Sequence, residues 1–189
     1  MITSIKSKIR SLVSDFANSS EEAFTYTTSS IFTIAQENIT ISQVTVNGST
    51  SGVTYTYSST TNKVTITSAL TSGDIILVSY TYNKYSSAEL DEYIRSALVF
   101  ISVYSYEDQD YELESGDVIA PTPSNQVCDE IALIASILIN PDYVQYRLPN
   151  CTVTYPRTMT KEVRIEKLID RFNRGLGISS TLNFDSFIN

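Results

Sequence analysis

The sequence predicts an α+β protein in which a helical bundle of about four helices carries an inserted small antiparallel β sandwich or barrel. Two observations predict this architecture. Four segments outside residues 24–84 repeat apolar residues at helical spacing, whereas residues 24–84 alternate like strands between turn residues. We therefore expect a helical domain formed by residues 1–23 and 85–189, and an inserted β domain at residues 24–84.

Composition limits the classes of function. The 189 residues suit one domain, or one domain with a smaller one inserted. The formal net charge of −8 opposes binding to nucleic acid or to an anionic membrane, because both need clustered Lys and Arg. The chain has no His, which excludes His-dependent catalytic triads and the usual zinc sites. We expect no catalytic residues, no bound metal and no cofactor.

The two cysteines and the N-terminal segment indicate the cellular compartment. Cys128 and Cys151 form no CxxC pair, so buried, reduced thiols are expected. No continuous apolar segment follows the N-terminal lysines, so we expect neither a signal peptide nor a membrane span. We expect a protein made and used in a reducing cytoplasm, or assembled there into something larger.

The first helix is predicted from Ile2 to about Ala17, since apolar residues recur there at helical spacing. These residues are Ile2, Ile5, Ile9, Leu12, Val13 and Phe16. Lys6, Lys8 and Arg10 fall mainly on the other face. We interpret these basic residues as a solvated face, with a binding patch as the alternative.

Residues 24–84 have the composition of strands. Only four of these residues carry a charge, and Ser, Thr, Val, Ile and Tyr dominate. Five strands are predicted, at residues 31–34, 41–46, 53–57, 63–67 and 74–82. Turn residues separate them at Asn47-Gly48, Ser51-Gly52, Thr61-Asn62 and Ser72-Gly73.

Five tyrosines of this segment have two interpretations. They form a sugar-binding or protein-binding face, or they are scaffold residues, because Tyr is common in strands. We favour the scaffold interpretation. The tyrosines are Tyr55, Tyr57, Tyr80, Tyr82 and Tyr85.

The second helix is predicted to begin with Ser86 as the N-cap and Glu89 three residues later, the spacing of a capping box. An acidic segment, residues 106–117, follows it and is predicted to be a loop. Its alternating carboxylates resemble calcium ligands, but Gly116 stands at the wrong position and the closing Glu is missing. We interpret the segment as a solvated loop that faces a partner, through Asp108, Asp110, Glu112 and Glu114.

The third helix, Ser124 to Asn140, is predicted to be the centre of the core. Eight of the nine residues from Ile131 to Ile139 are apolar and cover every face of the helix, which indicates burial on all sides. Ser124 is the predicted N-cap, and Asn140-Pro141 ends the helix. The core residues of this helix are expected to be Val127, Ile131, Ile134, Ala135 and Leu138.

The C-terminal part of the chain predicts one more helix and an apolar tail. Residues 141–156 read as irregular, with one short strand from Cys151 to Tyr155. A basic amphipathic helix follows from about Thr158 to Arg174, and two glycines end it. The residues after Gly177 are too irregular for a helix and are expected to be mobile in the free subunit.

The order of these elements resembles the head-tail connector proteins of tailed bacteriophages, also called adaptor or head completion proteins. The resemblance lies in a short first helix, a helix beginning SSAELDEYIRSAL, an acidic loop, the helix PTPSNQVCDEIALIASILIN and a last helix EVRIEKLIDRFNRGL. The inserted segments ITISQVTVNG, VTYTY, KVTIT and SGDIILVSYTY are similar to the small β modules of phage neck and tail proteins.

The resemblance implies a structural virion protein of the phage neck. Typically twelve copies form a ring beneath the portal protein, extend the DNA channel and present a platform to a further neck or tail protein. DNA passes through the lumen without specific binding, which suits a negative net charge. The family's portal contact corresponds here to Asn173–Asn189, with Leu176, Ile178, Leu182, Phe184, Phe187 and Ile188 as the docking residues.

Two other classes of function remain open from the sequence. The first is a carbohydrate- or receptor-binding module that acts through the tyrosine-rich β segment. The second is a metal-dependent enzyme that uses the acidic loop, although no base and nucleophile pair and no phosphate-binding loop support it.

Overall fold

The computed structural model describes residues 1–104, 110–115, 117–148, 151–174 and 182–183. The described residues form an α+β protein with four helices and small, mostly antiparallel sheets. The chain divides into two compact units. Unit 1 contains Met1–Asp15 and Ser87–Asn189, and unit 2 contains Phe16–Ser86.

The helices all belong to unit 1. They are α1 (Ile2–Leu12), α2 (Ser87–Tyr104), α3 (Asn125–Ile139) and α4 (Lys161–Asn173). Helix α3 contacts each of the other three helices. The Ser124 side chain accepts a hydrogen bond from the Val127 N–H, as the N-cap prediction requires, and Asn140 is the C-cap.

The core prediction for α3 is largely confirmed. Every residue from Ile131 to Ile137 is buried, including Ile134 and Ala135. Val127 and Leu138 are half-buried, so burial on all sides does not extend over the whole predicted range. The helix is covered on every face only along its middle turns.

Helix α1 is shorter than the sequence predicts. It ends at Leu12 because Ser14 adopts a φ of 57° and the Asp15 N–H bonds to the Arg10 carbonyl, which turns the chain away. Phe16, assigned to the apolar stripe, is therefore 63 % exposed and lies outside the helix.

The basic residues of α1 correct a second expectation, since Lys6 and Lys8 do not form a freely solvated face. Lys6 is buried and its Nζ lies 2.8 Å from Asp91 Oδ2 on α2. Lys8 Nζ lies 2.5 Å from Asp129 Oδ1 on α3. These ion pairs connect the first helix to the two helices beside it.

Unit 2 has six strands: β1 (Asn18–Thr25), β2 (Ile31–Thr33), β3 (Ile39–Val46), β4 (Tyr55–Ser58), β5 (Lys63–Ile66) and β6 (Ile75–Tyr82). They form two antiparallel sheets with the orders β1-β6-β3 and β2-β5-β4. One apolar cluster contains residues of both sheets, among them Val78 of β6 and Val64 of β5. Positive φ angles at Asn47, Gly48 and Gly73 confirm the predicted turns there.

The five predicted strands are confirmed, but the predicted start of the insertion at residue 24 is too late. Strand β1 begins at Asn18 and pairs along its whole length with β6, from Asn18 opposite Tyr82 to Thr25 opposite Ile75. Its sequence, NSSEEAFT, has no strand propensity in its first half, so pairing with β6 determines its conformation.

The described part of unit 1 also contains five short strands. The acidic segment, predicted to be a loop, contains β7 (Glu112–Glu114), which forms a hairpin with β8 (Val118–Ala120) just after the segment. Strands β9 (Gln145–Leu148) and β10 (Cys151–Thr154) form another hairpin. Only β10 was predicted. Strand β11 (Leu182–Asn183) pairs in parallel with β10.

Candidate assembly surface

The C-terminal half of α2 exposes apolar side chains to solvent. Its buried stripe is Leu90, Ile94, Ala97, Leu98 and Ile101. On the opposite face, Val99 is 61 % exposed and Val103 is 66 % exposed. Tyr104, the last residue of the helix, is 41 % exposed but falls on the side of the buried stripe at helical spacing. We call Val99 and Val103 the α2 ridge. Exposed apolar residues that lie close together commonly mark an interaction site.

A cleft borders the ridge on the side of the β7–β8 hairpin. Arg95, Leu98, Val99 and Ser102 of α2 form one wall, and Asp110 to Leu113 form the other. Its volume is about 410 Å³. The Arg95 Nη1 donates a hydrogen bond to the Leu113 carbonyl at 2.8 Å, which holds β7 against α2.

A second cleft of about 380 Å³ separates the end of α2 from α4. Val103 and Tyr104 line one side, and Val163 of α4, itself 39 % exposed, lines the other. The Asn173 Nδ2 donates to the Tyr104 carbonyl at 2.9 Å and joins the ends of the two helices. The ridge therefore stands between two grooves.

Charges of both signs surround the ridge. Arg95, Asp110 and Glu112 all line the first cleft. On the second, Glu166 and Lys167 line the wall together with Asp170, whose Oδ2 lies 2.8 Å from Arg174 Nη2. The clefts thus have two cationic wall residues, Arg95 and Lys167, among four carboxylates.

The tail carries the predicted docking residues, and the structure describes two positions in it. Leu182 is the register partner of Val153, and Asn183 is the register partner of Thr154, so part of the tail pairs with β10. Leu176, Ile178, Phe184, Phe187 and Ile188 lie outside the described residues. The residues after Gly177 were expected to be mobile in the free subunit, whereas Leu182 and Asn183 pair with β10.

The hairpin that receives β11 is firmly attached to α4 through Arg164. This residue is only 3 % exposed, and its Nη1 donates to the Pro141 carbonyl at 2.6 Å and the Tyr143 carbonyl at 2.9 Å. Its guanidinium also lies 5.7 Å from the ring centre of Tyr155. Arg164 therefore contacts both the segment before β9, through the two carbonyls, and the segment after β10, through the Tyr155 ring.

Tyr146 strengthens the same attachment from within the hairpin. It is fully buried, and its hydroxyl donates to the Asn140 carbonyl at 2.7 Å. Burial raises the pKa of this phenol, and the nearby Arg164 charge opposes the rise without cancelling it. The Tyr146 hydroxyl therefore stays protonated and remains a hydrogen-bond donor throughout the physiological pH range.

The acidic residues predicted to face a partner are only partly brought together. Glu112 and Glu114 are exposed on either side of the buried Leu113, and Asp110 lines the first cleft. Asp108 lies outside the described residues. Among the residues that the structure describes, no group of three or more Cys, Asp or Glu side chains could hold a metal ion.

The tyrosines proposed as a binding face lie mostly against the core of unit 2. Tyr80 is 2 % exposed, and its hydroxyl donates to Glu22 Oε1 at 2.5 Å. Burial, and secondly this hydrogen bond, raise the pKa of Tyr80. Tyr57 and Tyr82 pack against the same cluster, Tyr85 is half-buried, and Tyr55 at 39 % is the most exposed of the five.

Neither the exposed α2 ridge nor the buried position of Arg164 was predicted from the sequence. The signal for the ridge was the spacing of Val99 and Val103, which places two apolar residues on the polar face of α2. Arg164 gave no signal, because one Arg among the basic residues of α4 looks like part of a solvated face. Its role depends on carbonyl groups that lie about 20 residues earlier in the chain.

Comparison with known proteins does not assign the chain to a family. No protein-family model matches it, and a search of curated proteins finds no similar sequence. Separately, within the described part of the chain, every helix is too short or too polar to cross a lipid bilayer.

Proposed function

We propose that this protein is a structural subunit of the neck of a tailed bacteriophage, that it catalyses no reaction, and that it functions in the virion. Typically twelve copies would form a ring beneath the portal protein, connect the DNA-filled head to the tail and extend the DNA channel. The next neck or tail protein would bind the opposite side of the ring.

The observation that carries this proposal is the α2 ridge between its two clefts. Val99 and Val103, each more than 60 % exposed, lie one turn apart on one helix face, and neighbouring exposed apolar residues are typical of an interaction surface. A subunit of an assembly buries such residues against its neighbour, and each valine then contributes roughly 1.5 kcal/mol or more.

The occupant that we propose for this surface is a second copy of the chain. A ridge bordered by two grooves of similar volume, about 410 and 380 Å³, can fit against another such surface. Two copies that each carry −8 repel one another, and pairing of Arg95 and Lys167 with cleft carboxylates of the neighbouring copy would offset part of that repulsion.

The finer architecture forms part of the same proposal. We interpret the four helices of unit 1 as a bundle around α3, since α3 contacts all of the others. We interpret unit 2 as a small β sandwich, since its two sheets share one apolar cluster. In a ring, the bundle would provide the contacts between subunits.

The experiment is to measure the mass of the purified protein in solution over a range of concentrations, with negative-stain electron microscopy of the largest species. We expect closed rings in the wild type. Val103→Asp should weaken self-association about 100-fold, because the contact loses an apolar side chain and gains a buried charge, together about 3 kcal/mol.

Ile75→Asp is the matched control, since Ile75 is 54 % exposed but lies on unit 2. Circular dichroism should show that both variants are folded. A wild type that stays monomeric at every concentration, with or without the portal protein, would refute the ring. If Val103→Asp and Ile75→Asp self-associate equally, the α2 ridge is not part of the contact between subunits.

A further inference from the structure

The Asn47-Gly48 turn of unit 2 has a sequence that can react with itself, and this dipeptide occurs once in the chain. In such a pair, the glycine backbone nitrogen attacks the side-chain carbonyl carbon of the asparagine. A new N–C bond closes a five-membered succinimide, and the side-chain nitrogen leaves as ammonia with the proton of the attacking N–H. Water then opens the ring to aspartate or isoaspartate. Glycine favours the attack because it has no side chain to hinder it.

The turn holds the two residues in a conformation from which the ring cannot close. Asn47 and Gly48 have φ angles of 50° and 78°, as in a type I′ turn, and the Ser49 N–H bonds to the Val46 carbonyl at 3.0 Å. In a type I′ turn the nitrogen of the second central residue points away from the Cβ of the first. Ring closure therefore requires a rotation that opens the turn.

The side chain of Asn47 is fixed as well. Its Nδ2 donates to Asp74 Oδ1 at 2.8 Å, and its Oδ1 accepts from the Ile75 N–H at 2.9 Å. Its backbone N–H bonds to the Ile75 carbonyl at 2.8 Å. Both polar atoms of the side-chain amide are thus bonded to the start of β6, and both bonds must open before the amide can turn toward Gly48.

Asp74 is itself held in place to accept the Asn47 amide. Its Oδ2 accepts from the Thr71 N–H at 2.7 Å. The hydrogen bond from Thr71, and secondly that from Asn47, lower the pKa of Asp74. The carboxylate is therefore ionised at neutral pH and accepts both hydrogen bonds.

We propose that Asn47 is a latent deamidation site that its hydrogen bond to Asp74 protects, and that deamidation there makes opening of the turn permanent. The reaction replaces the Nδ2 donor by a second carboxylate, which faces Asp74 and repels it. The hydrogen bond cannot form again between two ionised carboxylates. The end of the β3–β6 pair then loses its side-chain connection.

The rate of deamidation tests the protection. Full-length wild type, Asp74→Ala and a synthetic peptide of residues 44–50 are incubated in one buffer at neutral pH. Peptide mass spectrometry measures aspartate and isoaspartate at position 47. We expect the wild type to react about ten times more slowly than the peptide, because only the opened turn reacts. Asp74→Ala should react faster than the wild type, whereas Glu37→Ala, which removes another exposed acid of unit 2, should not.

Exchange of the two side chains tests the pair itself. Asn47→Asp imitates the product and should lower the midpoint temperature of unfolding, measured by circular dichroism. Asn47→Asp combined with Asp74→Asn exchanges donor and acceptor and keeps an oxygen for the N–H groups of Ile75 and Thr71. We expect the double variant to regain the wild-type midpoint.

Three results would overturn the proposal. A wild type that deamidates as fast as the peptide would show that the fold gives no protection. Equal rates in folded Asp74→Ala and in the wild type would show that Asp74 does not keep the turn closed. If Asp74→Ala fails to fold, the exchanged pair tests the same hydrogen bond, and a double variant that melts as low as Asn47→Asp would refute it.

Discussion

At the scale of single residues, Arg164 is the most consequential side chain that sequence alone did not reveal. A buried guanidinium is costly unless its donors find acceptors, and here Nη1 and Nη2 reach three carbonyl oxygens, whereas the buried Nε has no hydrogen-bond partner among the described residues. Those carbonyls belong to Pro141, Tyr143 and Pro156, on both sides of the β9–β10 hairpin. The hairpin also contacts α1 through β9, and Tyr146 bonds to the Asn140 carbonyl.

Removal of this cation should destabilise the protein. We expect Arg164→Ala to lower the free energy of unfolding by about 3 kcal/mol, since each hydrogen bond to a charged group contributes roughly 1.5–3 kcal/mol and buried carbonyls lose their donor. Arg164→Lys should recover part of the loss, because an ammonium group reaches fewer of the carbonyls. Urea unfolding measures both values.

Arg174→Ala is the control, because Arg174 is an exposed residue of the same helix whose ion pair with Asp170 is worth little. If Arg164→Ala unfolds at the same urea concentration as Arg174→Ala, the hairpin does not depend on Arg164.

At the scale of elements, the helices and strands whose own sequence has clear periodicity and end signals were predictable. Helix α3 has an N-cap, a stop and an uninterrupted apolar middle, and β6 is a run of β-branched and aromatic residues. Strand β1 and the β7–β8 hairpin contain glutamates, and strand β9 contains Arg147. Their conformation depends on a partner strand distant in the chain or in the next turn, which local propensity does not contain.

The pairing of β1 with β6 predicts that unit 2 can be removed. Because Asn18 and Tyr82 are opposite one another, the two ends of the unit lie about 5 Å apart. Replacement of residues 18–83 by a four-residue Gly-Ser linker should leave α1 to α4 folded. Far-ultraviolet circular dichroism and the cooperativity of thermal unfolding measure the outcome.

The 18–83 deletion is compared with a deletion of residues 24–84, the bounds of the insertion predicted from the sequence. That deletion leaves residues 18–23 of β1 without β6 as a partner, so we expect an aggregation-prone strand. Loss of helical signal in the 18–83 deletion would mean that unit 2 contributes to the core of unit 1.

At the scale of the whole molecule, the chain divides into two units that differ in the periodicity of their sequences. The change from helical to strand periodicity located both units, but not the α2 ridge, because the ridge depends on which side chains remain exposed after packing. The proposed function depends on two regions, the α2 ridge for a neighbouring copy and the tail for the portal.

The tail should be necessary for docking but not for folding. We expect truncation after Gly177 to leave a folded protein with the thermal stability of the wild type, since the truncation removes only two residue pairs of described structure. The truncated protein should still form rings through the α2 ridge but should not bind the portal. Circular dichroism and co-sedimentation with the portal measure the two properties separately.

The most direct test of the central claim is cryo-electron microscopy of the full-length protein mixed in excess with its cognate portal. Our account predicts a ring of this protein seated on the portal, typically with twelve copies, with α2 of each subunit at the contact with its neighbour and the tail on the portal. A portal that remains bare beside free protein would contradict the account.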